Sequence, residues 1–206
     1  MKKLIIALSF VFATITNAQT DYQTKMQEAF GLWSQNKATE ASQVFERIAK
    51  VEQNNWLPNY YAAQTLITSS FELRDEAVLK TRLEQAQVFL DKAKEMSPKN
   101  SEIMVAQAQL YTVWVVFDGA SYGRKYSGKI SRLYEKATKL DPTNPRAAFG
   151  KVEWDMGSAR FFGKDTAPYC KKMEKAIKLF DTFENKTPFY PNFGKERALM
   201  VISNCK

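Results

Sequence analysis

Apolar residues recur along this chain with the spacing of one buried helical stripe, and similar stripes return about every forty residues. Four sets place apolar residues at one position and at four and seven positions beyond it: Ala41, Phe45 and Ile48; Ala86, Leu90 and Ala93; Ile130, Tyr134 and Ala137; and Tyr169, Met173 and Ala176. A short string with a similar pattern of charged and apolar residues begins near each set, at residues 46, 91, 135 and 174. Self-similarity at this period is typical of stacked helical units.

A second apolar helix is predicted before each of these four, at about residues 22–36, 57–71, 101–117 and 145–160. No stretch of useful length alternates apolar and polar residues as a strand does. The sequence therefore predicts an all-α chain of about four helix hairpins, with a closing C-terminal helix from about Gly194 to Cys205. Residues 117–128 are rich in Gly and Tyr, and we expect them to form a loop between two helices.

The third unit carries the clearest family pattern. It places large, small and aromatic residues on the first helix and ends the second with a proline, through Met104, Ala108, Tyr111, Tyr134, Ala137 and Pro142; the second unit contributes Ala86, Leu90, Ala93 and Pro98. This pattern resembles the tetratricopeptide repeat, and the chain is similar to small exported proteins of that family from Bacteroidetes-type bacteria. The first and fourth units lack the terminal proline. The resemblance implies a right-handed α-solenoid.

The N-terminus is typical of a secretory signal peptide. Lys2 and Lys3 precede an apolar run over residues 4–15, and small residues follow before Gln19. We therefore predict a signal peptide over residues 1–18 and a helical repeat domain over residues 19–206, exported to the periplasm or the cell exterior. The apolar run is shorter than the roughly 20 residues that a membrane span needs, and an uncleaved anchor is the alternative.

Composition excludes several kinds of chemistry. The chain contains no histidine, which removes the usual general base and the commonest metal ligand. Its carboxylates are interspersed with Lys and Arg on predicted helix surfaces, and no phosphate-binding loop or nucleophile motif is present. We therefore expect no enzyme activity, no catalytic residues, no cofactor and no metal site.

The two cysteines are expected to lie at a similar height on neighbouring antiparallel helices. Cys170 falls near the start of one predicted helix and Cys205 at the end of the next. In an exported chain, an isolated pair is more often bridged than metal-binding. A Cys170–Cys205 disulfide is predicted, and two free thiols or a redox-active pair are the alternatives.

The resemblance implies that the first helices build a concave groove that receives a protein or peptide. Carried onto this sequence, the groove positions of the family are Val105, Gln109, Thr112, Phe149, Glu153 and Met156. The main functional prediction is accordingly an exported interaction scaffold that binds a protein or peptide partner and no nucleic acid.

A basic strip on one predicted helix motivates a second function. It consists of cationic residues at helical spacing, opposite an apolar face: Lys125, Lys129, Arg132, Lys136 and Lys139. A docking strip for anionic glycan or lipid headgroups is one interpretation, and a solvated outer helix face is the other. With exposed aromatics, the strip makes an envelope- or glycan-binding module the alternative function.

Overall fold

The computed structural model describes residues 21–203 and 205, so the predicted signal peptide, residues 1–18, lies outside the described residues. Helices account for nearly all of the secondary structure, and no strand occurs in the described range. Their bounds are α1, 21–34; α2, Ala38–Val51; α3, Trp56–Ser70; α4, Glu76–Met96; α5, Ser101–Phe117; α6, Gly119–Leu140; α7, Pro145–Phe161; α8, Ala167–Thr182; and α9, Lys195–Ile202. The all-α prediction is confirmed.

Short polar side chains fix where most of these helices begin. Each accepts a hydrogen bond from one or two of the first backbone N–H groups of its helix, which have no partner inside the helix: Asn55, Asp75, Asn100, Asp118 and Asn144. Pro145 occupies the first position of α7, where its missing N–H has no consequence.

The helices pack as consecutive pairs, and the first helices of the pairs lie side by side. α3 contacts α5, and α5 contacts α7. Phe30 on α1 packs edge-on against Tyr61 on α3, with ring centroids 4.7 Å apart. We call α1, α3, α5 and α7 the inner layer. The arrangement agrees with the predicted hairpins, while the tetratricopeptide assignment stays a prediction.

The expected loop over residues 117–128 is wrong, because α6 begins at Gly119 and includes these residues. Asp118 caps the helix by accepting hydrogen bonds from the N–H groups of Ala120 and Ser121. Tyr126 is buried and stacks on Tyr111 of α5, with ring centroids 4.9 Å apart. Capping and aromatic packing outweigh the low helix propensity of the glycines.

The predicted disulfide is confirmed. Cys170 on α8 and Cys205 after α9 are bonded, with Cα atoms 5.8 Å apart and 35 positions apart in sequence. In the chain-entropy account, closing a loop of this length stabilises the fold by about 3–4 kcal/mol.

Residues 183–194, between α8 and α9, return across the inner layer; we call them the strap. The backbone carbonyl of Phe189 accepts a hydrogen bond of 2.8 Å from the Tyr61 hydroxyl. The Phe189 ring stacks on Phe30, and Phe193 packs edge-on against Trp33. The strap therefore covers the first half of the inner layer, over α1 and α3.

Candidate ligand-binding cavity

A cavity of about 1110 Å³ lies in the second half of the inner layer, beyond the strap. α5, α6 and α7 supply most of its walls, and Phe193, Gly194 and Arg197 close one side. Small-molecule sites typically occupy about 300–1,000 Å³, so the cavity has room for a large organic ligand.

Glycines line the cavity on its α6 and α7 sides. Gly119 and Gly123 line it from α6, and Gly150 and Gly157 line it from α7. A Cβ atom placed on Gly123 or Gly157 would meet no other atom within 4 Å. These two positions therefore leave open space where larger residues would project side chains, and we call this part of the cavity, beside Gly123 and Gly157, the slot.

One contact requires its glycine. A Cβ atom on Gly150 would lie 2.4 Å from Cε1 of Tyr134, so a larger residue would displace that ring. Tyr134 is buried and lies on the cavity wall. Burial raises the pKa of its hydroxyl, and the negative charge of Glu153 raises it further. Tyr134 therefore presents a neutral phenol to the cavity.

Two adjacent phenylalanines form an exposed rim at one end of the cavity. Phe161 and Phe162 line it, yet they are 71% and 70% exposed. Their rings pack edge to face, with centroids 5.2 Å apart. Large aromatic side chains exposed together commonly mark a contact surface.

A buried ion pair between α5 and α7 lies at one end of the cavity, which we call its inner end. Nη2 of Arg146 donates to Oε1 of Glu102 at 2.6 Å, and the two side chains are 4% and 0% exposed. The side-chain amide of Asn144 also donates to this carboxylate, at 2.7 Å. The Arg146 guanidinium lies 4.5 Å from the ring centroid of Phe183, so the same pair anchors the strap.

Two buried polar atoms at this inner end have no hydrogen-bond partner among the described residues: Oε1 of Gln64 and Nη1 of Arg146. Both residues line the cavity. The Gln64 side chain does donate to Oε1 of Gln109, at 2.8 Å. Buried polar groups nearly always have a partner, so this end of the cavity suits a bound water or a polar group.

The structure brings together part of the predicted groove. Four of its residues line the cavity: Gln109, Thr112, Phe149 and Glu153. Val105 and Met156 are buried and are not part of its lining. Sequence reasoning missed the glycine walls and the rim. The four-residue spacing of Gly119 and Gly123 and the adjacent phenylalanines were the available signals.

The residues of the basic strip all lie exposed along α6 and do not line the cavity: Lys125, Lys129, Arg132, Lys136 and Lys139. Nζ of Lys125 lies 4.9 Å from the centroid of the Tyr126 ring, and Nζ of Lys129 lies 5.7 Å from that of Tyr111. The aromatic rings thus account for the positions of two of the cations. A docking role for the strip stays a prediction.

Within residues 21–203 and 205, no three His, Cys, Asp or Glu side chains are grouped so that they could hold a metal ion. In the same range, no helix combines the length and the apolar character needed to cross a membrane.

The sequence matches no protein-family model and no curated protein. Among solved structures, the chain is similar to the HusA haemophore from Porphyromonas gingivalis, with a TM-score of 0.78 and 23% identity. The alignment covers 89% of this chain and 92% of the haemophore. At this level of identity the likeness shows a shared fold.

The prediction of a protein- or peptide-binding scaffold is wrong. A solved structure with the same fold is a haemophore. The molecule also gives a physical reason, because Phe189 and Phe193 of the strap pack over the first half of the inner layer and close it to a peptide there. What remains open is a cavity of small-molecule size.

Proposed function

We propose that this protein is an exported carrier that binds a flat, largely apolar molecule of the tetrapyrrole class, such as haem, in the cavity. The observation that carries the proposal is the cavity of about 1110 Å³, which glycines of α6 and α7 line and in which Gly123 and Gly157 leave open space. The missing side chains would allow a planar ring system to lie close to the helix backbone at these positions. The fold shared with a haemophore supports the same ligand class.

The lining suits binding through the faces of a macrocycle. Aromatic and aliphatic side chains dominate near the rim, where Val116, Phe161 and Phe162 meet. Burial of apolar ligand surface supplies about 25 cal/mol per Å². The whole chain lacks histidine, the lining includes no Cys or Met, and the raised pKa of Tyr134 keeps its hydroxyl protonated. Affinity in this proposal therefore comes from shape and apolar contact.

Contacts within the protein hold the walls of the cavity in place, which favours a carrier function. The Tyr134–Gly150 contact holds α6 against α7 at their inner ends, and the ion pair between Glu102 and Arg146 holds α7 against α5. A preformed site loses little conformational entropy when the ligand binds. The ligand would enter past the exposed rim and slide between the two walls.

Two observations support export. The N-terminal residues 1–18 have the pattern of a signal peptide, and Cys170 is bonded to Cys205. Disulfides persist mainly in oxidising compartments outside the cytosol. We also retain the tetratricopeptide-type solenoid as the proposed architecture, on the strength of the helix pairs and the inner layer.

Filling the slot tests the proposal. The variants Gly123→Leu and Gly157→Leu introduce side chains where no protein atom stands in the way of the first added carbon. Gly31→Leu on α1 is the matched control, because Gly31 is equally open but lies outside the cavity. Leucine favours helix more than glycine does, so all three variants should fold.

Titration of the mature protein with haem, followed by visible absorption, should give saturable binding to the native protein and to the control. Each slot variant should bind at least about 10-fold more weakly, a loss of about 1.4 kcal/mol. Absence of haem binding by the native protein, or equal binding by all variants, would contradict the proposal.

A glycan- or envelope-binding module is the second candidate, and the exposed Phe161–Phe162 rim near the basic helix α6 favours it. Trp154 lines the cavity and donates a hydrogen bond to Ser131, so its fluorescence reports on the site. Titration with oligosaccharides should change this fluorescence if the second candidate is right, and should leave it unchanged if the tetrapyrrole proposal is right.

A further inference from the structure

We propose that Arg124 binds a carboxylate of the ligand and thereby sets its orientation, with the carboxylate edge at the mouth of the cavity and the apolar edge inward. This inference rests on the proposed function, because it assigns a specificity-determining residue to the same cavity.

Charge pairing singles out Arg124 among the cationic residues of the lining. Three arginines line the cavity: Arg124, Arg146 and Arg197. Glu102 neutralises Arg146 at 2.6 Å, and Glu153 neutralises Arg197 at 2.8 Å. Within the described part of the chain, Arg124 makes no ion pair, so its charge is available to an anionic ligand.

The position of Arg124 places that charge at the mouth. Its neighbour Gly123 lines the α6 wall, and Gly119 lies one turn earlier. A Cβ atom on Gly119 would lie 3.7 Å from Cε2 of Phe161, so the start of α6 stands beside the exposed rim. Tyr134 follows Arg124 by ten residues on the same helix, which is about 15 Å of helix length toward the inner end.

Desolvation favours the same orientation. Arg124 is exposed, so a carboxylate bound to it keeps part of its hydration. At the inner end, the buried Arg146 is already neutralised by Glu102, and a second buried carboxylate would be left without a compensating charge. Burying an uncompensated ion costs several kcal/mol. The guanidinium group is also the side chain best suited to bidentate carboxylate binding.

The test compares Arg124→Gln with Arg132→Gln. Arg132 lies on the same helix and is also exposed, but it does not line the cavity. The two probes are metal-free protoporphyrin IX, which carries two carboxylates, and its dimethyl ester, which carries none. Both are titrated into the mature protein, and binding is followed by porphyrin fluorescence.

Arg124→Gln should weaken binding of the dicarboxylate about 5-fold, as expected for a partly solvated charge-assisted contact, and less as salt is raised. Binding of the ester should change less than about 2-fold. Arg132→Gln should leave both affinities unchanged. This selective loss would support the assignment.

Three results would overturn the assignment. One is a native affinity of Arg124→Gln for the dicarboxylate, and another is an equal loss for both probes, which would mean that Arg124 only shapes the wall. The third is a selective loss of the dicarboxylate in Tyr134→Phe, which would place the carboxylates at the inner end. In all three the native protein still binds porphyrin. If it binds neither probe, the proposed function fails as well, and the two failures are therefore distinguishable.

Discussion

The two halves of the inner layer have the same helix-pair architecture, but one is filled with side chains and the other encloses a cavity. In the first half, rings from α1, α3 and the strap fill the space, as in the contacts of Phe30 with Tyr61 and with Phe189. In the second half, Gly123 on α6 and Gly157 on α7 line a cavity and leave open space where larger residues would place side chains. The comparison shows that side-chain size and the return path of the chain decide whether a helical groove becomes core or binding site.

The difference separates stability from binding. A substitution in the filled half should lower the free energy of unfolding and leave ligand affinity unchanged. A substitution on the walls or rim of the open half should lower ligand affinity and leave the free energy of unfolding nearly unchanged. The ion pair of Glu102 and Arg146 stands where the two halves meet, because it touches both the strap and the cavity.

The largest effect is expected at this junction. Glu102→Ala leaves the guanidinium of Arg146 buried without a counter-charge, and the free energy of unfolding should fall by about 3–5 kcal/mol. Ligand affinity should fall too, because the inner end of the cavity loses its support. Glu153→Ala is the control for stability. Its pair with Arg197 is partly exposed, and its loss should cost less than about 1 kcal/mol in urea unfolding.

In the filled half, Phe189→Ala should lower the free energy of unfolding by about 2–4 kcal/mol, since it removes a ring packed on Tyr22 and Phe30. Under conditions in which the variant remains folded, its affinity for haem should match that of the native protein. A large loss of affinity at unchanged stability would show that the strap contributes to the site more directly than the comparison allows.

In the open half, the double variant Phe161→Ser and Phe162→Ser should show the opposite pattern. Both side chains are exposed, so the free energy of unfolding, measured by thermal denaturation, should change by less than about 0.5 kcal/mol. Ligand binding should weaken by about 1–2 kcal/mol, or roughly 5- to 30-fold, through lost apolar contact. Unchanged affinity would remove the rim from the binding site.

The smallest effect concerns the far end of the strap, where Nζ of Lys186 donates to Oδ2 of Asp141 at 2.8 Å. Partial burial raises the pKa of the Asp141 carboxyl, but hydrogen bonds from Lys186 and Thr143 outweigh it and hold the pKa below its ordinary value of 3.8. A carboxyl with a lowered pKa stabilises the fold above that ordinary value, and the stabilisation is lost as the pH falls through the folded-state pKa.

Asp141→Asn should therefore lower stability by less than about 1 kcal/mol at pH 6, and the difference from the native protein should shrink below pH 3.8. Urea unfolding at both pH values measures this. A difference that grows toward acid pH would contradict the assigned sign.

Periodicity alone was enough to place most of the helices. The stripe of Ile130, Tyr134 and Ala137 predicted a buried face, and all three residues are buried in α6. The helix predicted at about residues 145–160 is α7, and Asn144 and Pro145 fix its start, because local backbone chemistry determines where helices begin. The cysteine pair was predictable for a related reason, since antiparallel neighbours bring Cys170 and Cys205 to one height.

The site was only partly predictable. Gln109 and Phe149, two of the predicted groove residues, line the cavity. The glycines of residues 117–128 indicated a loop, but they lie in helix α6. Local propensity carries no information about the aromatic packing of Tyr126 on Tyr111 that stabilises this helix.

The sequence by itself determined the helices, their pairing and the disulfide, because these depend on spacing within short segments and between neighbours. Only the tertiary structure decided that the strap covers α1 and α3 while α6 and α7 keep an open slot. That outcome depends on contacts between residues more than a hundred positions apart, such as Tyr61 with Phe189, and spacing along the chain does not encode such contacts.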